Sequence, residues 1–209
     1  QRGDCMNKLV LVGGGGHCKS CIEVIESDGR FELLGIIDNK TNTDKSCLGV
    51  PFIGTDAHLV EILSQFDMAL VTVGQIHTPE TRKKLYHLIK SLDKTMPVIC
   101  AASSIVSSYS KIKKGSIVMH GAIVNAGAEI GNNVIINSMA LIEHDVIVGD
   151  HCHISTGARI NGAAKIADGC FIGSGAIIHQ NVCIGSNAII SAGAVITKDV
   201  AAGDKIRGF

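Results

Sequence analysis

The sequence predicts an α/β N-terminal domain, residues 6–103, followed by a left-handed parallel β-helix, residues 104–209. Two observations lead to this prediction: the first hundred residues alternate apolar runs with amphipathic stretches, and the rest of the chain repeats every six residues. The composition agrees with it. Aromatic residues make up 3% of the chain and Gly occurs 24 times in 209 residues, so the core must be built from small and branched aliphatic side chains.

The N-terminal part shows short strands separated by helices, which is typical of a small parallel α/β domain. Residues 1–5 precede Met6, where an apolar run begins, and we leave them out of the fold prediction as residual or disordered sequence. The predicted elements are Lys8–Val12, Ser20–Glu26, Phe31–Ile37, Leu59–Gln65, Met68–Val73, Glu80–Ser91 and Val98–Ala102.

From Ser104 onward, one position in every six is Ile or Val without exception, from Val106 to Ile196. A small or modest residue stands two positions earlier, and Cys152 and Cys170 fall in this row. Such a period fits neither a helix nor an alternating strand but suits a three-sided prism, in which three hexapeptides form one coil and parallel coils stack about 4.8 Å apart. About five coils result.

Gly or Asn often follows the repeated aliphatic residue. We expect these residues to occupy turn positions of positive φ, which Gly and Asn adopt most easily. They are Gly131, Asn137, Gly149, Asn161, Gly173 and Gly185.

Charge and cysteine content exclude several classes of protein. The 19 basic and 19 acidic side chains cancel, so no net field favours nucleic acid or a membrane surface. No apolar run of about 18 residues and no signal segment is present, and we expect a cytoplasmic protein with eight reduced Cys. Cys18 and Cys21 form a single C-x-x-C without a second pair at ligand spacing, so we expect no metal.

Stacking of coils identifies candidate site residues, since positions 18 apart lie above one another. His144 would lie between Ala126 and Gly162, which leaves room beside the imidazole for a ligand. We expect His153 to be half a turn away and to meet His144 only between adjacent subunits. A second column of small residues would form a shallow groove for a thin ligand such as a pantetheine arm: Ser138, Thr156, Ser174 and Ala192. The remaining prism histidines, His120, His151 and His179, are expected to be solvated.

The segment Ile142-Glu143-His144-Asp145, with Val148-Gly149 and His153-Ile154-Ser155 after it, resembles the NeuD/PglD-type sugar acetyltransferases. The resemblance runs from Met6 to the C-terminus and includes three further motifs: Gly13 to His17, Asp38-Asn39 and Val73-Gly74. Members usually continue into Pro-Ala-Lys after the last coil, whereas this sequence stops at Gly208-Phe209, which leaves contacts of that tail to CoA open.

The resemblance implies a Rossmann-like N-terminal domain that binds a UDP-type nucleotide sugar through Gly15, Gly16, His17, Asp38, Asn39 and Gly74. Acetyl-CoA would be held by His153, Gly162, Ser174 and Ala192. His144 would act as the general base, oriented by Asp145, with Glu143 as a competing partner, and a backbone N–H near Gly162 would bind the oxyanion. Cys18 replaces the third Gly of a dinucleotide fingerprint, which disfavours a nicotinamide cofactor.

These observations favour an acetyl-CoA-dependent N-acetyltransferase that acts on a nucleotide-linked 4-amino sugar in bacterial glycan or nonulosonic acid synthesis. The expected assembly is a homotrimer with active sites between subunits. Two alternatives stay open: a sialic acid O-acetyltransferase, and a non-catalytic or metal-binding hexapeptide trimer in which His144 is structural.

Overall fold

The computed structural model describes residues 6–39, 45–75 and 77–208. The prediction for residues 1–5 and that for Phe209 lie outside these ranges. The first part of the chain consists of β1 (Asn7–Val12), α1 (Gly16–Asp28), β2 (Phe31–Asp38), β3 (Ser46–Cys47), β4 (Val50–Thr55), a 3-10 turn (Asp56–His58), α2 (Leu59–Ser64), β5 (Ala69–Val71) and α3 (Glu80–Ser91).

Within the described residues these strands form one sheet of order β3-β4-β2-β1-β5, parallel except for the β3–β4 pair. Strand β1 is apolar at consecutive positions because helices cover both of its faces. Leu9 and Leu11 belong to the core cluster of α1, whereas Val10 and Val12 belong to that of α3. The sequence did not predict β3 and β4, since the segment 50–55 contains Pro and Gly and most of its side chains are only partly buried.

The second part is a three-sided parallel β-helix, and its two-residue strands form three sheets that we name faces I, II and III. Face I contains Ile99–Cys100, Ile117–Val118, Ile135–Ile136, His153–Ile154, Phe171–Ile172, Ile189–Ile190 and Lys205–Ile206. Face II contains Ile105–Val106, Ile123–Val124, Leu141–Ile142, Arg159–Ile160, Ile177–Ile178 and Val195–Ile196. Face III contains Lys111–Ile112, Glu129–Ile130, Ile147–Val148, Lys165–Ile166 and Cys183–Ile184.

The strand register confirms the predicted stacking. Ile142 pairs with Val124 on one side and Ile160 on the other, each 18 residues away. The repeated aliphatic side chains and the small residues before them fill the prism, and almost all from Val118 to Ile196 are buried. Burial of each Ile contributes about 1.5–3 kcal/mol, so the repeat itself supplies the core. The predicted fold class, an α/β domain followed by a parallel β-helix, is therefore confirmed.

The positions of positive φ differ from the prediction. They lie three residues after the aliphatic residue, as at Asn133, Asp145 and Ala163, and not directly after it. Gly131 is needed for a different reason: a Cβ atom there would lie 2.5 Å from Oδ1 of Asp150 and 2.6 Å from the Gly149 carbonyl carbon. Close approach of the next coil, and not backbone conformation, therefore explains this glycine.

The two parts of the chain pack against each other along face I. Ile117 and Ile135, which point outward from this face, share a core cluster with Leu9 and Ile22 of the α/β domain. Ile99–Cys100 also pairs with face I, although the sequence grouped Val98–Ala102 with the α/β domain. No helix in the described ranges is long and apolar enough to cross a membrane.

Candidate active site

His144 and Asp145 form a contacting pair at the corner between faces II and III. Nδ1 of His144 lies 2.9 Å from Oδ2 of Asp145, and both side chains are about two-thirds exposed. Asp145 adopts φ of 60°, a conformation that Asp tolerates better than most residues. Glu143 instead accepts a hydrogen bond of 2.9 Å from Nδ2 of Asn125. Of the two acids beside His144, Asp145 is thus the one in contact with the imidazole.

Gly162 lies directly against the imidazole of His144. A Cβ atom at residue 162 would be 2.6 Å from Nε2 and 2.7 Å from Cε1 of His144, so any residue other than Gly would force the imidazole to move. The backbone N–H of Gly162 has no acceptor within the described ranges, while the following N–H, of Ala163, donates to the His144 carbonyl oxygen at 2.9 Å. Nε2 of His144 and the backbone of Gly162, whose N–H is free, therefore lie at one exposed corner.

The predicted column of small residues lies at a different corner, between faces I and II. Ser174 and Ala192 stack there with Ser138 and Thr156, and the Ser174 hydroxyl is 2.9 Å from that of Ser155. Within one chain Gly162 is therefore separated from Ser174 and Ala192 by the width of face II.

A pocket of about 720 Å³ opens between the α/β domain and the β-helix. All six residues predicted to bind the nucleotide sugar line it: Gly15, Gly16, His17, Asp38, Asn39 and Gly74. The first turn of α1 faces this pocket, and its N-cap, Gly15, has no side chain to satisfy the free N–H groups. At Gly14 a Cβ atom would lie 2.6 Å from the Phe52 ring, so the loop packs too closely for any other residue.

His153 is the β-helix residue of this pocket. It is 6% exposed, and its ring centroid lies 6.1 Å from that of His17. Burial, and secondly the charge of Arg82, lowers the pKa of His153 to about 3 and that of His17 to about 4. Both imidazoles are neutral at pH 7 and can accept a hydrogen bond. His153 thus lies with the residues predicted for the nucleotide sugar, away from Gly162 in the same chain.

Several residues of this region were not foreseen from the sequence, among them Gln75 and Arg82. Gln75 lines the pocket, and Arg82 of α3 lies behind it, 1% exposed. The prediction that His151 is solvated is wrong, since this residue is 6% exposed. Its Nδ1 atom lies 3.0 Å from Nδ2 of Asn133. The amphipathic pattern of α3 could have indicated that Arg82 lies on its buried face, next to Leu85, Tyr86 and Ile89.

Metal chemistry gains no support from the side chains of the described ranges. No group of three or more His, Cys, Asp or Glu residues there is arranged to hold an ion. Cys18 and Cys21 are buried and free, and burial raises the pKa of the Cys18 thiol to about 11.

Two family models match the chain. Residues 8–89 match the PglD N-terminal domain, and residues 127–162 and 163–198 match the bacterial transferase hexapeptide (six repeats). No curated protein is similar enough in sequence to be matched.

Solved structures with the same architecture cover nearly the whole chain. The acetyltransferase domain of PglB from Neisseria gonorrhoeae, in complex with acetyl coenzyme A, is 32% identical over 97% of each chain, with a TM-score of 0.87. A mutant of perosamine N-acetyltransferase from Caulobacter crescentus, in complex with CoA and GDP-perosamine, is 28% identical over 96% of this chain and 93% of the other, with a TM-score of 0.89. WeeI from Acinetobacter baumannii, 22% identical over 97% of each chain with a TM-score of 0.83, shares the fold.

Proposed function

Because the chain belongs to the NeuD/PglD-type acetyltransferase family, we propose that it transfers the acetyl group of acetyl-CoA to the amino group of a UDP-type nucleotide-linked 4-amino sugar. The observation that carries this proposal is the corner where His144, paired with Asp145, lies against Gly162, whose backbone N–H is free. A scaffold has no need for this arrangement, whereas acyl transfer needs both a base and an oxyanion donor.

The proposed reaction is direct transfer. The neutral sugar amine attacks the thioester carbonyl carbon, and Nε2 of His144 takes the proton that the nitrogen loses. Asp145 accepts a hydrogen bond from Nδ1–H, which fixes the tautomer and stabilises the imidazolium. The N–H of Gly162 donates to the tetrahedral oxyanion. When the C–S bond breaks, the CoA thiolate leaves and takes the proton from His144, so that the products are the acetamido sugar and free CoA.

The pocket between the domains would hold the nucleotide sugar. The first turn of α1 offers N–H groups and a positive dipole end to a diphosphate, and none of the described residues that line the pocket is Lys or Arg. Asp38 and Asn39, at the end of β2, offer acceptors and donors for ribose or base. Residues 6–103 would thus select the nucleotide sugar, while residues 104–209 carry out the transfer, with Ser174 and Ala192 along the pantetheine arm.

Two copies of the chain would be needed to complete one active site. In a three-sided prism, the corner of His144 lies opposite face I, where the α/β domain packs and the pocket opens. A sugar bound in the pocket can therefore reach His144 only from a neighbouring subunit. The outward row of face II is mostly apolar and at least partly exposed, as such packing needs, with Arg159 as its one charged member among the described residues: Ile105, Ile123, Leu141, Arg159, Ile177 and Val195. We propose a homotrimer, and a cytoplasmic location consistent with the free thiols of the described cysteines.

Release of free thiol from acetyl-CoA tests the activity. The panel consists of UDP-4-amino sugars, GDP-perosamine and free sialic acid, with His144→Ala as the matched variant. Turnover with an amino-sugar nucleotide, reduced by about two to four orders of magnitude in His144→Ala, is the expected result.

Other outcomes separate the alternatives. Release with sialic acid alone would make the enzyme an O-acetyltransferase. Near-normal turnover in a folded His144→Ala protein would remove His144 from the mechanism, and no release with any acceptor would favour a non-catalytic trimer.

A further inference from the structure

Arg82 is a buried cation at the junction of the two domains. Its guanidinium donates from Nη1 to Oε1 of Gln75 at 2.9 Å and to the His151 carbonyl oxygen at 3.3 Å. From Nη2 it donates to the carbonyl oxygen of Asn133 and, at 3.3 Å, to the Asn133 side-chain oxygen. All these acceptors are neutral, and no carboxylate within the described ranges forms an ion pair with Arg82.

A buried guanidinium without a counter-ion is costly, since desolvation of an ion removes several kcal/mol that only a partner charge or good hydrogen bonds can offset. The Nε–H of Arg82 has no partner among the described residues, so even the hydrogen bonding is incomplete there. Desolvation lowers the pKa of Arg82 to about 10, which still leaves it charged at pH 7. If residue 82 served only to fill space, an apolar side chain would be more stable there. The role of the guanidinium must therefore be sought in the groups that it holds in place through hydrogen bonds.

Gln75 connects Arg82 to a longer chain of hydrogen bonds. Because Arg82 donates to Oε1 of Gln75, the Gln75 amide nitrogen points away and donates to the Gly169 carbonyl oxygen at 3.1 Å. The main-chain carbonyl oxygen of Gln75 is 2.8 Å from Nδ1 of His153. A carbonyl oxygen can only accept, so Nδ1 of His153 carries the proton and Nε2 is left as an acceptor.

The chain ends at the small-residue corner. Nδ2 of Asn137 lies 3.2 Å from Nε2 of His153, and the Asn137 side-chain oxygen accepts from the backbone N–H of Ser138 at 2.8 Å. That second bond requires Nδ2 to be the donor toward His153, which agrees with the tautomer set from the other end. Ser138 is the first residue of the column proposed for the pantetheine arm. One polar chain therefore connects α3, the nucleotide-sugar pocket and the groove for acetyl-CoA.

We propose that Arg82 is a positioning residue of the active site: by holding Gln75, it fixes the Nδ1–H tautomer of His153 and, through His153, the orientation of Asn137 beside the acetyl-CoA groove. This inference rests on the proposed acetyl transfer for its functional meaning. The tautomer itself is independent of turnover.

The charges around His153 support the same assignment. Arg82 faces it from α3, and the charge of Arg82 opposes a positive charge on the His153 imidazole, while His17, which faces it from α1, is itself neutral at pH 7. The neighbouring coils contribute Asn137 and the Phe171 ring, whose centroid is 5.3 Å from that of His153, and neither is charged. His153 is consequently kept neutral, which is the state in which its tautomer matters.

The test compares Arg82→Met, which keeps the length of the side chain but removes charge and donors, with Arg82→Lys, which keeps the charge. Lys84→Met, an exposed change on the same helix, is the control. Long-range proton–nitrogen NMR spectra of protein labelled with nitrogen-15 histidine report the tautomer, with His153 assigned through His153→Gln. The nucleotide-sugar assay and thermal unfolding are run on the same samples.

Wild-type and Lys84→Met proteins are expected to show His153 as the Nδ1–H tautomer alone. Arg82→Met should show both tautomers and a kcat/KM about 10- to 100-fold lower, because a catalytic group displaced by about 1 Å commonly costs that much. Arg82→Lys should recover part of the Nδ1–H population through a single bond to Gln75, and it provides the same measurement if Arg82→Met does not unfold cooperatively.

A single Nδ1–H tautomer in both folded Arg82 variants would overturn the positioning role, whatever the activity. If the tautomer changes as expected but the wild-type protein transfers no acetyl group to any acceptor, the positioning role stands and the proposed function fails.

Discussion

Replacing Gly162 by Ala tests how strongly His144 depends on the coil beside it. The new Cβ atom would lie 2.6 Å from Nε2, whereas ordinary van der Waals contact begins at 3.4 Å, so the ring must move by about 0.8 Å or rotate. Either movement disturbs the 2.9 Å contact with Asp145. Misplacement of this size commonly costs about 100-fold in rate, equivalent to about 2.7 kcal/mol of transition-state stabilisation.

The fold should hardly respond to Gly162→Ala. The φ angle of Gly162 lies outside the left-handed region, and the His144 side chain is 66% exposed, so we expect the free energy of unfolding to change by about 0.5 kcal/mol or less. The assay is kcat/KM from thiol release together with urea unfolding, and Gln180→Ala, one coil further along the same corner, is the control.

A double-mutant cycle makes this prediction specific. In a His144→Ala protein there is no imidazole to displace, so adding Gly162→Ala should lower the remaining rate little further. A Gly162→Ala protein with wild-type kcat/KM, or an undiminished effect of Gly162→Ala without His144, would refute the claim that Gly162 makes room for a catalytic imidazole.

Three further predictions follow from the pocket and the corner. Gly15→Asp supplies the missing side-chain N-cap of α1, so it should raise the free energy of unfolding by a few tenths of a kcal/mol. Its negative charge should repel the diphosphate and raise KM for the nucleotide sugar about 10-fold. The KM for acetyl-CoA is the internal control. His17 and His153 have folded pKa values of about 4 and about 3, below the unfolded value of 6.5, so their contribution to stability is complete above pH 6.5. Toward pH 4 the free energy of unfolding should fall by up to about 1.4 kcal/mol per pH unit for each histidine. Urea unfolding at several pH values should show a smaller dependence on pH in His153→Gln and an unchanged one in the exposed His179→Gln. An equimolar refolded mixture of His144→Ala and Gly15→Asp chains, assayed at low substrate, should recover about a quarter of the sites, and no recovery in mixed trimers would contradict sites shared between subunits.

The β-helix could be predicted from the sequence because every coil places Ile or Val at the same inward positions. An unbroken row of Ile or Val has few explanations, and its period of six sets the 18-residue register that Ile142 and Ile160 show. The same arithmetic placed His144 beside Gly162. The reason for the glycines after the aliphatic residues was predicted wrongly. Gly131 is required because the neighbouring coil packs closely against it, and the sequence of a single hexapeptide does not reveal that contact.

The junction between the domains was much harder to predict. His153 and His151 look like any other outward residue of the prism, and only the docking of α1 and α3 on the β-helix buries them. Arg82 shows a related difficulty: its spacing from Leu85 and Ile89 puts it on the apolar face of α3, but an Arg side chain is usually assigned to solvent. The pocket residues Gly15 to His17 were identified through a family resemblance, and the hydrogen bonds of Gln75 that complete the pocket depend on contacts 78 and 94 residues away.

The 18-residue register also limits which changes of length the chain can accept. Removing one hexapeptide between His144 and Gly162 would keep every aliphatic side chain inside the prism, so the shortened protein could still fold. Every later residue would, however, move to the adjacent face, and Gly162 would no longer stack on His144. Insertions and deletions that preserve the hydrophobic pattern are thus tolerated by the fold in steps of six, but by the catalytic corner only in steps of eighteen. Among functional hexapeptide enzymes, insertions and deletions between the catalytic histidine and the stacked glycine should therefore comprise whole coils. Outside this segment, changes of a single hexapeptide should be tolerated more often.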